Sequence, residues 1–166
     1  MIATDGRRIP VRASGQDLLV SWHPPTTDPP PGVRHGAAGV CVTGGGDIVL
    51  ISQDGDHWEL PAGRPEGDES WEQTLRREVH EEACSTVLRA RLLGFSVGEC
   101  IAGRELGLVL VRSIWRAEVE VGPWAPRFEI GHRRVVAPRD VSRGLGLESH
   151  PFAPILRRAL QEAGIG

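Results

Sequence analysis

Apolar positions along the chain follow two rhythms. Residues 38–43 and 48–52 are near-continuous apolar runs, and Gly44-Gly45-Gly46-Asp47 between them predicts two strands joined by a flexible turn. Residues 17–22 predict a short strand. Residues 58–60 predict an extended segment between the Asp54-Gly55-Asp56 turn and Pro61. Further strands are expected over 90–95, over 106–115 with continuation to Val121, and over 134–136. The other rhythm is helical. Trp71, Leu75 and Val79 recur every fourth residue behind Ser70, a suitable N-cap, and predict a helix with one buried stripe. A second helix is expected over 151–163, turning Ile155, Leu156 and Leu160 inward. Strands mixed with two helices argue for an α/β fold, a mixed β-sheet sandwiched between helices.

Residues 1–34 differ in character and are read as an N-terminal extension, with the main domain over 35–166. Five prolines between residues 24 and 31 exclude regular helix or central strand there, because proline has no amide donor. An extended surface connection is expected, either a stiff arm packed on the domain or a binding segment.

The 166 residues amount to one domain, with 40% hydrophobic and 25% charged residues, as in soluble globular proteins. A net charge of −3 supplies no global field for nucleic acid or anionic membrane, so neither is an expected partner. Cys41, Cys84 and Cys100 show neither metal-ligand spacing nor a disulfide framework. With no apolar run of membrane-spanning length and no signal-like start, the expectation is a cytoplasmic location.

The chemistry concentrates between residues 63 and 85. Gly63, Glu69, Arg77, Glu78, Glu81 and Glu82 stand in the pattern Gly-x5-Glu-x7-Arg-Glu-x2-Glu-Glu. On a helix Glu82 lies about 40° from Glu78, and Glu81 about 60° to its other side, so three carboxylates share an arc of about 100°. Like charges one turn apart cost a helix about 0.2–0.5 kcal/mol per pair, so folding alone does not call for them. A divalent cation does, since Mg²⁺ takes carboxylates together with substrate phosphates. Arg77 can hold carboxylates in a fixed fork, with Glu69 as the expected upstream partner. A solvated acidic face is the plain alternative for any Glu-Glu pair.

This spacing resembles the signature of the Nudix hydrolases, enzymes that split diphosphate linkages in nucleoside diphosphate derivatives. The resemblance covers about residues 36–140 and is most specific in the signature and the Leu60-Pro61-Ala62-Gly63 approach. It implies a Nudix-type α/β/α sandwich and Mg²⁺ (or Mn²⁺) as cofactor. Glu78 and Glu82 would be metal ligands, with Glu81 a further ligand or the base that activates water. The backbone carbonyl of Ala62 would also reach a metal, and Arg77 and Glu69 would support the helix. Glu129 is a candidate for the extra acidic residue that such enzymes carry near the metals. A homodimer, with residues 1–34 exchanged between subunits, is a further implication.

Two positions depart from the family pattern. Cys84 stands where a glycine is usual and Ser85 where a bulky aliphatic is usual. A left-handed cysteine costs about 1–2 kcal/mol, so a different helix end is expected here. Trp58, Trp115 and Trp124 are candidates to stack on a base, with core positions as the expectation. Arg104, Arg112, Arg133 and Arg134 are candidates to grip a phosphate, with solvated surface the expectation for most. His35, His57, His80 and His132 receive no role.

The expected reaction is metal-assisted hydrolysis of a P–O–P linkage in a small-molecule nucleotide. The Glu59-Leu-Pro-Ala-Gly63 approach is similar to that of Nudix enzymes acting on ADP-ribose and nucleotide sugars. Their downstream proline is missing from residues 92–116, and the tyrosine of dinucleoside-polyphosphate enzymes has no counterpart in a chain without tyrosine. Cleavage of a nucleoside triphosphate to its monophosphate is equally open. The alternatives are a Nudix-fold nucleotide sensor that hydrolyses nothing, and an isoprenoid diphosphate isomerase.

Overall fold

The structure, a computed structural model, describes every residue except Thr27 and Gly166. Its strands are β1 (Ile9–Ala13), β2 (Gln16–His23), β3 (Val33–Val42), β4 (Ile48–Ser52), β5 (Ala62–Gly63), β6 (Ser85–Ala102), β7 (Val109–Val121) and β8 (His132–Val136). The helices are α1 (Trp71–Ala83), a four-residue α2 (Val141–Gly144) preceded by a 3₁₀ turn, and α3 (Ala153–Glu162). The strands form one sheet in the order β1-β2-β6-β7-β3-β4-β8, with β5 added to β3. The sheet is mixed: β3 runs parallel to β7, and the other pairings are antiparallel.

Each sheet face has its own core, because apolar side chains that alternate along a strand supply both faces. Under α1, Leu75 and Val79 meet Ala37, Cys41, Val49 and Trp115. Under α3, Ile155, Ala159 and Leu160 join Trp22, Val40, Leu50 and Ile114. The expected α/β sandwich with a mixed sheet is therefore the observed architecture.

Several boundaries differ from the sequence reading. Strand β1 was hidden by its Pro10 and its position at the sheet edge, where a missing donor is tolerated. The Ser14-Gly15 turn that joins it to β2 has positive φ at both residues, the geometry that hairpins of this twist require. Strand β6 begins at Ser85 rather than Ala90, and β7 begins at Val109 because Leu106 lies in the preceding turn, 68% exposed. Residues 24–32 contain no helix or strand among those described; Thr27, within that stretch, lies outside the described residues.

The end of α1 corrects a further expectation. Cys84 takes the left-handed conformation, φ 50° and ψ 41°, that a glycine would take, so the helix ends as it would with glycine. Surrounding bonds hold the strained residue. Its amide donates to His80 O, its carbonyl accepts from the Gly122 amide, and Arg133 donates to Ala83 O and Gly122 O.

Candidate active site

Helix α1 starts on a capping box: Ser70 Oγ accepts from the Gln73 amide while the Gln73 side chain accepts from the Ser70 amide. Two orphan donors are satisfied, and the acidic face beyond is set in rotation. That face crosses β5 through Gly63, where a Cβ would land on the Glu78 carboxylate. The signature glycine is thus needed for space rather than for a turn.

Arg77 is the hub. Its Nε and Nη2 donate to the two Glu69 oxygens at 2.8 and 3.0 Å, and its Nη1 donates to Glu78 Oε1 at 2.8 Å and Glu81 Oε2 at 3.2 Å. Nη2 also donates to Arg64 O at 2.8 Å, and Glu66 stands 3.5 Å away. The guanidinium and the Glu66 amide hold the Glu69 carboxyl down at about 2. In return Glu69 foremost pushes Arg77 further up. Glu81, Glu78 and Glu69 are therefore drawn together through one cation.

Glu82 is held differently. Its Oε1 accepts from the Ala62 amide at 2.8 Å, tying α1 to β5. Burial pushes its carboxyl up to about 7 despite that bond, and Glu78 and Glu129 push the same way. Burial also raises Glu78, against the pull of Arg77. Glu129 lies exposed in the segment between β7 and β8, close enough for its charge to act on Glu82. Beneath the cluster Cys41 is fully buried, and burial followed by the Glu82 charge pushes its thiol up to about 12. It is no nucleophile.

Among the described residues no three His, Cys, Asp or Glu side chains are grouped so as to hold a metal ion between them. The site nonetheless suits a hard divalent cation in kind: Glu78 and Glu82 are carboxylates one turn apart, both raised by burial, and carboxylate oxygens are the donors such a cation takes.

A cavity of about 380 Å³ opens on the α3 side of the sheet. Leu18, Leu110, Ile114, Phe152, Ile155 and Leu156 give it apolar walls, and Glu59 and Ala62 bring one end to the neighbourhood of Glu82. Sequence reasoning left this cavity out. Strands β2, β6 and β7 and helix α3 build it from distant parts of the chain, and no local spacing marks such a site. Gln16 shapes it: its side chain donates to Glu105 Oε1 at 3.1 Å and accepts from the Glu105 amide at 2.9 Å, fixing the β6–β7 turn.

His35, given no role above, lines this cavity. Burial, then Arg112 and Arg64, pushes it down to about 4, so it is neutral at ordinary pH. Arg112, one of the four arginines read as candidates to grip a phosphate, also lines it. Arg104 stays exposed beside Glu105, while Arg133 stacks on Trp124 and Arg134 on Trp58. Those two tryptophans face arginines within the protein. Trp115 is core, its Nε1 donating to Ser113.

Comparison with known proteins agrees with this geometry. The NUDIX domain profile matches residues 33–158. A search of curated proteins finds no match. Among solved structures, the Bacillus subtilis pyrophosphohydrolase BsRppH is 24% identical, with a TM-score of 0.67 over 96% of this chain and 99% of that one. A NUDIX hydrolase from Nitrosomonas europaea is 19% identical, with a TM-score of 0.61 over 81% and 91% of the two chains. The MutT protein of Methanosarcina mazei Go1 is 15% identical, with a TM-score of 0.52 over 81% and 96%. At these identities the structures speak for the fold. The family match spans most of the chain and includes the whole acidic signature: the protein belongs to the Nudix hydrolase family.

Proposed function

We propose that the protein hydrolyses a diphosphate linkage in a nucleoside diphosphate derivative, of the nucleotide-sugar or ADP-ribose type or a nucleoside triphosphate cut to its monophosphate, with Mg²⁺ or Mn²⁺. One observation carries the reading. Arg77 gathers Glu69, Glu78 and Glu81, while Glu82 is half-buried, raised to about 7 and placed beside a cavity of small-molecule size.

Glu78, Glu82 and the Ala62 carbonyl would hold the cation, with Glu81 and Glu129 as further acidic donors. Bound there, a divalent cation would supply positive charge to the phosphate oxygens and lower the pKa of the attacking water. The protein's own groups do the rest. Glu69 and Arg77 fix the helix face, so the carboxylates do not reorganise during reaction. Glu81 is the proposed base, its position set through Arg77 Nη1. Water oxygen forms the new P–O bond as the bridging P–O bond breaks, the proton passes to the glutamate, and the leaving phosphate departs.

A product-resolved screen of ADP-ribose, nucleotide sugars, dinucleoside polyphosphates and nucleoside triphosphates tests this. Turnover should require Mg²⁺ or Mn²⁺, stop in EDTA and vanish in Glu82→Gln. Nucleotide binding without turnover under all these conditions would favour the sensor, and isomerisation of isopentenyl diphosphate would favour the isomerase.

A further inference from the structure

Most buried or half-buried arginines here have evident partners. Arg77 meets carboxylates, Arg133 and Arg116 donate to helix-end carbonyls, and Arg158 pairs with Asp5 and Glu162. Arg112 is the exception. It stands on β7 opposite Gly36 of β3 and Ser96 of β6, lines the cavity under α3, and its buried Nε has no hydrogen-bond partner among the described residues. None of the ion pairs among those residues includes it. The residue as a whole is half-buried, and a buried donor of a charged group left without a partner costs free energy unless something outside the fold supplies one.

The position of Arg112 indicates the use. The charges acting on it are Glu59, Glu82, Arg64 and Glu78, so it lies where the apolar cavity meets the acidic cluster. Desolvation is the larger influence and presses its pKa down, as expected for a guanidinium held from water. Neighbouring His35 is neutral and competes for no anion. The carboxylates of α1 are tied elsewhere: Glu78 and Glu81 to Arg77, Glu82 to the Ala62 amide. A cavity of about 380 Å³ is at the small end for ligand sites and suits one nucleoside.

We infer that Arg112 is the anchor for the phosphate bonded directly to the nucleoside, with the nucleoside itself inside the cavity beneath α3. This rests on the nucleotide reading above and adds to it which end of the substrate is buried. The forked guanidinium donates to the non-bridging oxygens of that phosphate, and the scissile linkage then extends toward Glu78 and Glu82. The other end of the substrate points out of the cavity, so it contributes less to recognition than the nucleoside.

The test is calorimetry in EDTA with the common nucleoside monophosphates and their phosphate-free nucleosides, on wild type, Arg112→Met and Arg112→Lys. Wild type should bind at least one monophosphate about tenfold or more tighter than its nucleoside. In Arg112→Met that ratio should fall to near one while nucleoside binding persists, and Arg112→Lys should lie between. Thermal midpoints are read in parallel, and the methionine variant should melt no lower than wild type. A preserved ratio in Arg112→Met, or a clear drop in its midpoint, marks Arg112 as structural and overturns the inference while the nucleotide reading stands. No binding of any probe by wild type overturns the inference, while the nucleotide reading stands or falls with the Mg²⁺-dependent turnover screen.

Discussion

On α1, Arg77 meets Glu66, Glu69, Glu78 and Glu81 within 3.5 Å, and every arm of its guanidinium is engaged. Beneath α3, Arg112 lines an apolar cavity with its Nε unpaired among the described residues. Helix α1 thus carries one arginine with its charge neutralised by the fold, and strand β7 another whose charge the fold leaves open. In the proposed function the first arrangement is a rigid catalytic face, since groups fixed before the substrate arrives need no reorganisation. The second is the proposed receptor, whose missing partner comes with the substrate. On that proposal chemistry and recognition are divided between α1 and the cavity beneath α3, and they meet at residues 59–62.

After Glu82 itself, the division is broken most severely at Arg77. Arg77→Ala releases the three carboxylates it hydrogen-bonds and should lower kcat about 100-fold and stability by about 2 kcal/mol, read by steady-state kinetics and thermal melting. Arg77→Lys should recover little, because an ammonium cannot reproduce the fork.

A pH series sharpens the same side. Glu82 binds its proton more tightly folded, up to about 7, than the ordinary carboxyl value of 4.5, so the folded state holds more protons between those limits. Stability in EDTA should therefore fall as pH rises from about 4.5 through about 7 and level off above, with Glu78 adding in the same direction. Glu82→Gln should flatten the slope, and Mg²⁺ should restore stability on the alkaline side. Thermal midpoints across the series check the sign, and a rise with pH over that window would refute it.

On the recognition side the expected effect is smaller. Gln16→Ala frees the β6–β7 turn and should raise KM about threefold with kcat unchanged, at a stability cost of about 1 kcal/mol. An equal fall in kcat would place Gln16 with the chemistry instead. Smallest is Cys84→Gly, which relieves a left-handed cysteine and should stabilise the protein by about 0.5–1 kcal/mol without altering turnover. A destabilised Cys84→Gly would mean that the Cys84 Sγ contact with Ala125 O outweighs the strain.

What the sequence disclosed follows the same division. The signature lies within one helix and its approach, so fixed spacings were enough to predict that Glu78, Glu81 and Glu82 share a face and that Glu69 meets Arg77. Ser70 was legible as a cap for the same local reason. The cavity was not legible, because Leu18, Arg112 and Ile155 become neighbours only when β2, β7 and α3 pack together. Sequence alone did not separate Arg112 from Arg104, Arg133 and Arg134 as phosphate candidates, because only the packing of β7 brings it to the cavity. Cys84 misled in the opposite sense: the local cost of a left-handed cysteine was weighed without Arg133 and Gly122, which hold the turn from 49 and 38 residues away.

The central claim is that the carboxylate side performs the chemistry while the cavity binds. The most direct test is the kinetics of Glu82→Gln on the best substrate of the hydrolysis screen, with Mg²⁺ at saturation. The account predicts a kcat about 1,000-fold below wild type with KM within a few-fold. A kcat within tenfold of wild type, in a variant that melts as wild type does, would contradict it.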